Sequence, residues 1–219
     1  MHKNTLVKFL YCMEQKENKR ARGRPRAYDP EQALDNARDV FWQLGYGGSS
    51  LDDLSAATGM NRPSLYAAFG DKHALYLQTL ERYIELGRRG MIEAMAGDLP
   101  LAQALLRVYQ LALGMYLPSG SAARGCLLIG TAATQAVVDA EVRERLSDGL
   151  RCFDQVFEAR FQRALEQGEA VAAMEPALLA KVASAVLHTL ALRSRAGDSR
   201  ASLEATAAAG IRLICGQAR

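Results

Sequence analysis

The sequence has few of the residues that enzymes and metal sites need. Only three histidines and four cysteines occur among its 219 residues, and Cys12, Cys126, Cys152 and Cys215 form no Cys-x-x-Cys pair. Zinc sites and disulfide frameworks use closer, paired spacings, so we predict neither a metal nor a cofactor. Because no nucleophile elbow or acid–base pair is present either, we predict that the chain is not an enzyme.

Long hydrophobic runs, prolines and strand-like alternation are also scarce. The largely apolar stretch 126–138 is too short to cross a bilayer, and residues 1–13 are followed by no small-residue cleavage site. We therefore expect a soluble, cytoplasmic protein with no membrane partner. Hydrophobic residues make up 49% of the chain, which is enough for a core. Alanine and leucine dominate, and the predicted class is all-α.

Positive charge is concentrated near the N-terminus, although the whole chain carries only +3. We predict that residues 1–27 form a flexible basic arm that contacts a polyanion; a solvated tail without a partner is the alternative. Within this arm, Arg22-Gly23-Arg24-Pro25-Arg26 resembles an AT-hook, whose arginines enter a narrow minor groove. Arg22, Arg24 and Arg26 are therefore candidate DNA contacts.

Residues 28–72 have the pattern of three short helices. Asp29 and Pro30 are a capping residue and a first-turn proline, and they predict the start of the first helix. Apolar residues then recur at helical spacing until Gly45, which we expect to end this helix in a left-handed conformation.

The second and third helices have equally local signals. Ser50 and Asp53 have the spacing of a capping box, which predicts a helix over 51–58. Gly59 permits a tight turn, and Asn61 is placed to cap the helix that follows. This is the layout of a helix-turn-helix, in which the second helix offers its first residues to the DNA major groove.

Residues 73–219 are predicted to form a larger helical domain for regulation and dimerisation. Its patterns indicate a long helix after residue 72, then helices at about 100–117, 124–138, 141–167, 176–195 and 199–216. The helix at 176–195 is apolar nearly all round, so both of its sides must be buried. A second subunit is the simplest cover for one side. The candidate dimer contacts are Leu179, Val182, Val186 and Leu190.

The N-terminal pattern resembles the DNA-binding domain of TetR-family transcriptional regulators. The matching positions are Phe41, Gly45-Tyr46, Ser50-Leu51, Leu54, Gly59-Met60, Leu65-Tyr66, Phe69 and Lys72. A looser similarity follows at Gly125-Cys126-Leu127 and Arg195-Ala196-Gly197. The resemblance implies a homodimer, a ligand-responsive body and usually repression of a palindromic operator; a transcriptional activator is the alternative.

Candidate DNA contacts can be assigned within the module. Ser50 is placed to bind a phosphate at a helix N-terminus. Asn61, Arg62 and Ser64 open the recognition helix, and the Arg62 guanidinium suits guanine O6 and N7; a solvated surface cation is the alternative.

The later candidates are phosphate contacts. The Tyr66 hydroxyl suits a phosphate, although core packing is an equal alternative for this ring, and Lys72 offers a point charge. Ala67 and Ala68 depart from the Tyr or His that the family often places there, so phosphate contacts are expected to be fewer.

Apolar residues at helical spacing in the body are candidates for a ligand pocket, with ordinary core packing as the alternative. They are Met91, Met95, Tyr109, Leu113, Met115, Tyr116, Phe153 and Phe157. The predicted partner is a small apolar or electrophilic inducer.

Cys126 is a candidate redox or electrophile sensor. It follows Arg124-Gly125 at a predicted helix start, where the helix dipole and the arginine would lower the pKa of the thiol. The alternative is a small buried residue at a helix junction.

Overall fold

The computed structural model describes residues 28–120 and 122–216. The predicted basic arm, with Arg22, Arg24 and Arg26, lies outside the described residues.

The described part of the chain contains nine α-helices and no strands, which confirms the all-α class. The helices are α1 (Pro30–Gly48), α2 (Leu51–Thr58), α3 (Arg62–Phe69), α4 (Lys72–Ala94), α5 (Leu101–Tyr116), α6 (Ala133–Gln135), α7 (Ala140–Glu166), α8 (Pro176–Arg195) and α9 (Arg200–Ile214). A π-helical segment, Leu128–Ala132, leads directly into α6.

Side-chain caps begin the first three helices, as the sequence predicts. Asp29 accepts a hydrogen bond from the Glu31 backbone at the start of α1. Ser50 and Asp53 form the complete capping box of α2, each side chain accepting from the other's backbone N–H. Asn61 caps α3. Each cap satisfies amide groups that have no partner inside the helix.

Two glycines shape the turns around these helices. Gly45 has a positive φ of +72°, but its ψ of 172° lies outside the left-handed region and a short helical turn continues to Gly48 beyond this kink, so the predicted left-handed end of α1 at Gly45 is wrong. Gly59 adopts the left-handed conformation at the end of α2, with φ +67° and ψ 14°. The left-handed region carries little penalty for glycine because it has no Cβ, so the reversal between α2 and α3 is local.

An aromatic and leucine core joins α1–α3 to α4. Phe41 lies 4.9 Å from Tyr76 of α4, measured between ring centroids, and Leu54, Leu65 and Phe69 are buried against the same core. The first half of α4 is therefore part of the support for α2 and α3.

The prediction of a helix over 124–138 is wrong for its first residues. Residues 122–126 are not helical, and Gly125 has a φ of +60°. A Cβ on Gly125 would lie 2.6 Å from the Ala191 carbonyl oxygen. The apolar spacing signals burial correctly, but the close approach of α8 excludes helical geometry at this glycine.

Helix α8 is the central helix of the body. Its length and mean hydropathy of 1.2 would suit a membrane span. However, Leu179, Ala183, Leu187 and Leu190 are buried where α8 packs between α7 and α9. Packing within the fold therefore accounts for this apolar face.

Candidate DNA interface and ligand cavity

The first turn of α3 presents polar side chains on the surface of the module. Asn61 and Arg62 are exposed, and Ser64 is half-buried. Leu65 and Phe69 anchor the later turns of the helix in the core, whereas these three polar residues lie at its N-terminal start. Together with Ser50 and Tyr66 we call them the reading surface. A helix N-terminus with exposed polar side chains is suited to the major groove.

Arg62 is held by a carboxylate from α2. Its Nε donates to Asp52 Oδ1 at 3.1 Å, and its Nη2 lies 2.7 Å from Asp52 Oδ2. Asp52 is not among the residues predicted from the sequence. Its position one residue before the capping Asp53, facing α3 across the turn, is the signal that could have indicated it.

Ser50 and Tyr66 lie at the two sides of this surface. The Ser50 hydroxyl accepts from the Asp53 backbone N–H and donates to the Asp53 carboxylate at 2.6 Å. That carboxylate has a pKa below its usual range because of these hydrogen bonds from Ser50. The Tyr66 side chain is 48% exposed, which excludes full core packing for this ring. Both hydroxyls are at the surface where a phosphate contact would require them.

Lys72 is turned inward toward the end of α1. Its ammonium donates to the carbonyl oxygens of Tyr46 at 2.6 Å and Ser49 at 2.5 Å, and it lies 4.5 Å from the centre of the Tyr46 ring. Burial lowers the pKa of Lys72, and Asp53 opposes this shift. In this structure Lys72 joins α4 to α1, so its predicted phosphate contact needs the third N–H or a rotated side chain.

A cavity of about 240 Å³ lies in the body beside α1. Its walls come from α1, α4, α5, α7, α8 and the segment before α6, and most of the lining side chains are apolar. Tyr116 and Phe153 line it, as predicted. Met91 and Met115 line it too, also as predicted.

Four of the predicted pocket residues lie elsewhere. Tyr109, Leu113 and Phe157 are buried in the core, where Tyr109 donates to the Ala183 carbonyl oxygen. Met95 is also buried and borders a separate surface pocket near Arg163. Helical spacing identifies the apolar face of a helix, but it does not tell which residues of that face meet an internal gap.

Several lining residues are not among those predicted from the sequence, and Trp42 and His188 are two of them. Trp42 belongs to α1, and its indole N–H donates to the carbonyl oxygens of Arg124 at 3.0 Å and Gly125 at 3.1 Å. The Arg124 guanidinium lies 4.3 Å from the centre of the Trp42 ring. The cavity wall therefore includes a side chain from the helix that supports the reading surface.

Charge in the cavity wall is mostly neutralised. Arg38 pairs with Asp35 and Asp39, and Arg124 also pairs with Asp39 at 3.3 Å. Burial lowers the pKa of His188, which favours the neutral imidazole. Such a wall suits an uncharged ligand better than an ion.

The thiol of Cys126 lies in the wall of the same cavity. The Tyr83 hydroxyl donates to its Sγ at 3.2 Å. Burial raises the pKa of Cys126, and the backbone N–H groups of Leu128 and Ile129 oppose that shift only in part. The predicted lowering of the pKa is therefore wrong: the N-terminal amides act as expected, but loss of hydration outweighs them.

The predicted dimer residues fall into two groups. Leu179 and Leu190 are buried inside one subunit, so the prediction that they contact a partner is wrong, because α7 and α9 already cover that face. Val182 is 41% exposed and Val186 is half-buried over Gly210. The exposed apolar stripe of α8 consists of Leu178, Val182, Ala185 and Leu192.

Within residues 28–120 and 122–216, no group of three or more His, Cys, Asp or Glu side chains could hold a metal ion. The arrangement is that of a helix-turn-helix regulator, in which a DNA-reading module is joined to a helical body with a ligand-sized cavity.

Comparison with known proteins agrees with this class. The sequence profile for "Bacterial regulatory proteins, tetR family" matches residues 33–79. A cysteine mutant of the TetR family transcriptional regulator CifR, solved with 26-bp operator DNA, is 30% identical, with a TM-score of 0.73 over 86% of this chain and 98% of that chain. This chain belongs to the TetR family.

Two curated relatives from Escherichia coli (strain K12) are named as transcriptional repressors. ComR is 27% identical over 195 residues, which is 89% of this chain and 93% of ComR. BdcR is 34% identical over 117 residues, which is 53% of this chain and 59% of BdcR. The protein is therefore a DNA-binding transcriptional regulator, from a family whose members are not enzymes.

Proposed function

We propose that the protein is a cytoplasmic, homodimeric repressor that releases a palindromic operator when a small uncharged ligand enters the cavity. The position of Trp42 carries the ligand-responsive part of this proposal. Its indole lines the cavity while its helix packs against α2, so a ligand that displaces the ring also acts on the reading surface.

The proposed operator contacts are the residues of the reading surface together with Lys72 and the arm. Ser50, Tyr66 and Lys72 bind phosphates and set the register of the module, whereas Asn61, Arg62 and Ser64 meet base edges. Arg22, Arg24 and Arg26 of the arm add minor-groove contacts.

The partner subunit covers the exposed stripe of α8. Leu178, Val182 and Leu192 are 51%, 41% and 56% exposed. Val182 is four positions after Leu178 and Leu192 is fourteen after it, close to one and four helical turns, so the three lie on one helix face. Exposed apolar residues that continue along one helix favour a protein interface. A two-fold dimer then presents two copies of α3, and the operator is palindromic for the same reason.

The ligand is small and mostly apolar. The cavity exceeds the roughly 150 Å³ of an engineered cavity that binds benzene. The Tyr83 hydroxyl already donates to Cys126 Sγ, and the Ser184 hydroxyl donates to Asp154. The neutral imidazole of His188 is then the polar group best placed to orient a ligand.

Selection of bound genomic fragments by the full-length protein tests the repressor function. We expect enrichment of palindromic sites, and the genes beside them indicate candidate ligands. Expression from an enriched site should rise when the regulator gene is deleted. A fall in expression would instead show an activator, and no enrichment would refute operator binding.

Cys126 supports a second candidate function, because its thiol lies in the cavity wall. An electrophile that enters the cavity would reach Sγ, although the raised pKa leaves little thiolate for attack. Operator release by an electrophile in the wild type and in Cys126→Ser tests this thiol sensor. Equal release by both proteins would rule it out.

A further inference from the structure

The contact between Asp52 and Arg62 joins the two helices of the reading motif at their exposed ends. Asp52 lies in the first turn of α2, and Arg62 is the first residue of α3. The side chains are 77% and 54% exposed. Both oxygens of the carboxylate are engaged, one by Nε and one by Nη2.

Stability does not account for this pair. Exposed ion pairs contribute little to folding, since water and salt screen them. Helix α2 is capped by Ser50 with Asp53, and α3 is capped by Asn61, so neither cap needs Asp52. An acidic side chain beside a phosphate backbone also opposes binding electrostatically. An acid in the first turn of α2 interacts favourably with the helix dipole, and the contact of this acid with Arg62 allows a role in recognition as well.

The geometry leaves the reading edge of the guanidinium free. Arginine has five N–H donors in a fixed plane. Asp52 accepts from Nε, and its second oxygen lies 2.7 Å from Nη2, so the carboxylate lies along one side of that plane. The remaining Nη2 donor and the Nη1 donors lie along the end of the guanidinium. Within the described part of the chain they have no partner, and this end is the edge that suits guanine O6 and N7.

We propose that Asp52 is a positioning residue that directs Arg62 to a guanine in each operator half-site. This inference rests on the proposed operator binding and adds a source of base specificity to it. Because Asp52 occupies the Nε side of the guanidinium, Arg62 enters the major groove with its Nη1–Nη2 end toward the bases. Without Asp52 the flexible side chain is free to turn to the nearest phosphate, which carries no sequence information.

Selection from a randomised duplex library, followed by binding titrations, tests the proposal with full-length protein. The wild type should prefer one guanine per half-site by about 5- to 150-fold over other bases. Arg62→Ala should remove that preference. Asp52→Asn should reduce it about threefold or more, while affinity for non-operator duplex stays the same or rises.

Two controls separate positioning from charge. Glu31→Gln removes an exposed acid from the same module, where Glu31 contacts Arg82, and it should leave the guanine preference unchanged. In an Arg62→Lys background, Asp52→Asn should have no effect at that base, because an ammonium lacks the planar two-point edge. Thermal unfolding of each variant should match the wild type, which excludes misfolding as the cause.

The outcomes are distinguishable. A wild type that selects no sequence would refute the proposed operator binding itself. An operator in which Arg62→Ala relaxes no guanine would overturn only the assignment of Arg62 and Asp52. A guanine preference that is unchanged or sharpened by Asp52→Asn would also overturn it, and would identify the carboxylate as a competitor for Arg62.

Discussion

The reading surface and the cavity differ in the range of the contacts that build them. Every hydrogen bond described for the reading surface joins residues at most ten positions apart, the longest being the one from Arg62 to Asp52. The cavity wall instead joins Trp42 to a carbonyl 83 positions away. Local hydrogen bonds therefore set the side chains of the first region, on a core shared with α1 and α4, whereas long-range packing builds the second.

The largest expected effect is a loss of folding stability on substitution of Gly125, which lies between two residues of the cavity wall. Gly125→Ala should destabilise the protein by about 3 kcal/mol, because its Cβ would lie 2.6 Å from the Ala191 carbonyl oxygen. Thermal unfolding measures the loss. Gly97→Ala is the matched control, since Gly97 also has a positive φ but no atom within 4 Å of a Cβ. Equal losses would attribute the effect to φ alone and not to the approach of α8.

Deletion of residues 1–27 tests whether DNA binding extends beyond the reading surface. Operator affinity should fall about tenfold at moderate salt, and the salt dependence should become shallower by about 0.9 for each phosphate that the arm no longer neutralises. Titrations at several salt concentrations measure both quantities. If affinity and slope stay the same, Arg22, Arg24 and Arg26 do not bind DNA.

Loss of one helix cap should have a smaller effect. Ser50→Ala should cost about 1 kcal/mol of stability by leaving the Asp53 backbone N–H without its cap, and it should also weaken operator binding. Ser199→Ala removes the corresponding cap of α9, where Ser199 accepts from the Ser202 backbone. This control should lose similar stability with operator affinity unchanged; a parallel fall in affinity would argue against a phosphate contact at Ser50.

The smallest expected effect is on the pH dependence of folding stability, through His188. Because burial lowers its pKa in the folded state, the unfolded chain takes up the proton first as the pH falls through the ordinary histidine range near 6.5. Stability should therefore decrease toward acidic pH, and His188→Gln should flatten this slope. Denaturant unfolding between pH 5 and pH 8 measures it. An identical slope in the variant would show that His188 does not contribute.

The same contrast explains what could be predicted from sequence. The caps at Asp29, Ser50 and Asn61 are correct because each signal spans only a few residues. The start of the helix predicted over 124–138 is wrong, since a distant part of the chain, Ala191, restricts Gly125.

Predictions for the cavity fail for a related reason. Tyr109 and Phe153 have equally good spacing, yet only Phe153 lines the cavity. Backbone N–H groups reach the thiol of Cys126 as the sequence predicts, but its burial, which depends on the whole body, reverses the direction of the pKa shift. Leu179 and Leu190 are apolar as an interface would require, but neighbouring helices already cover them.

The inward orientation of Lys72 has a consequence for signalling. Its ammonium binds the carbonyl oxygen of Ser49, and Ser49 follows Trp42 by seven positions. The kink at Gly45 lies between these two residues. In the proposed mechanism, a ligand that displaces Trp42 therefore acts only seven residues along the chain from the point where α1, α2 and α4 meet. The proposed relay between ligand and operator needs no chain of intermediates through the body.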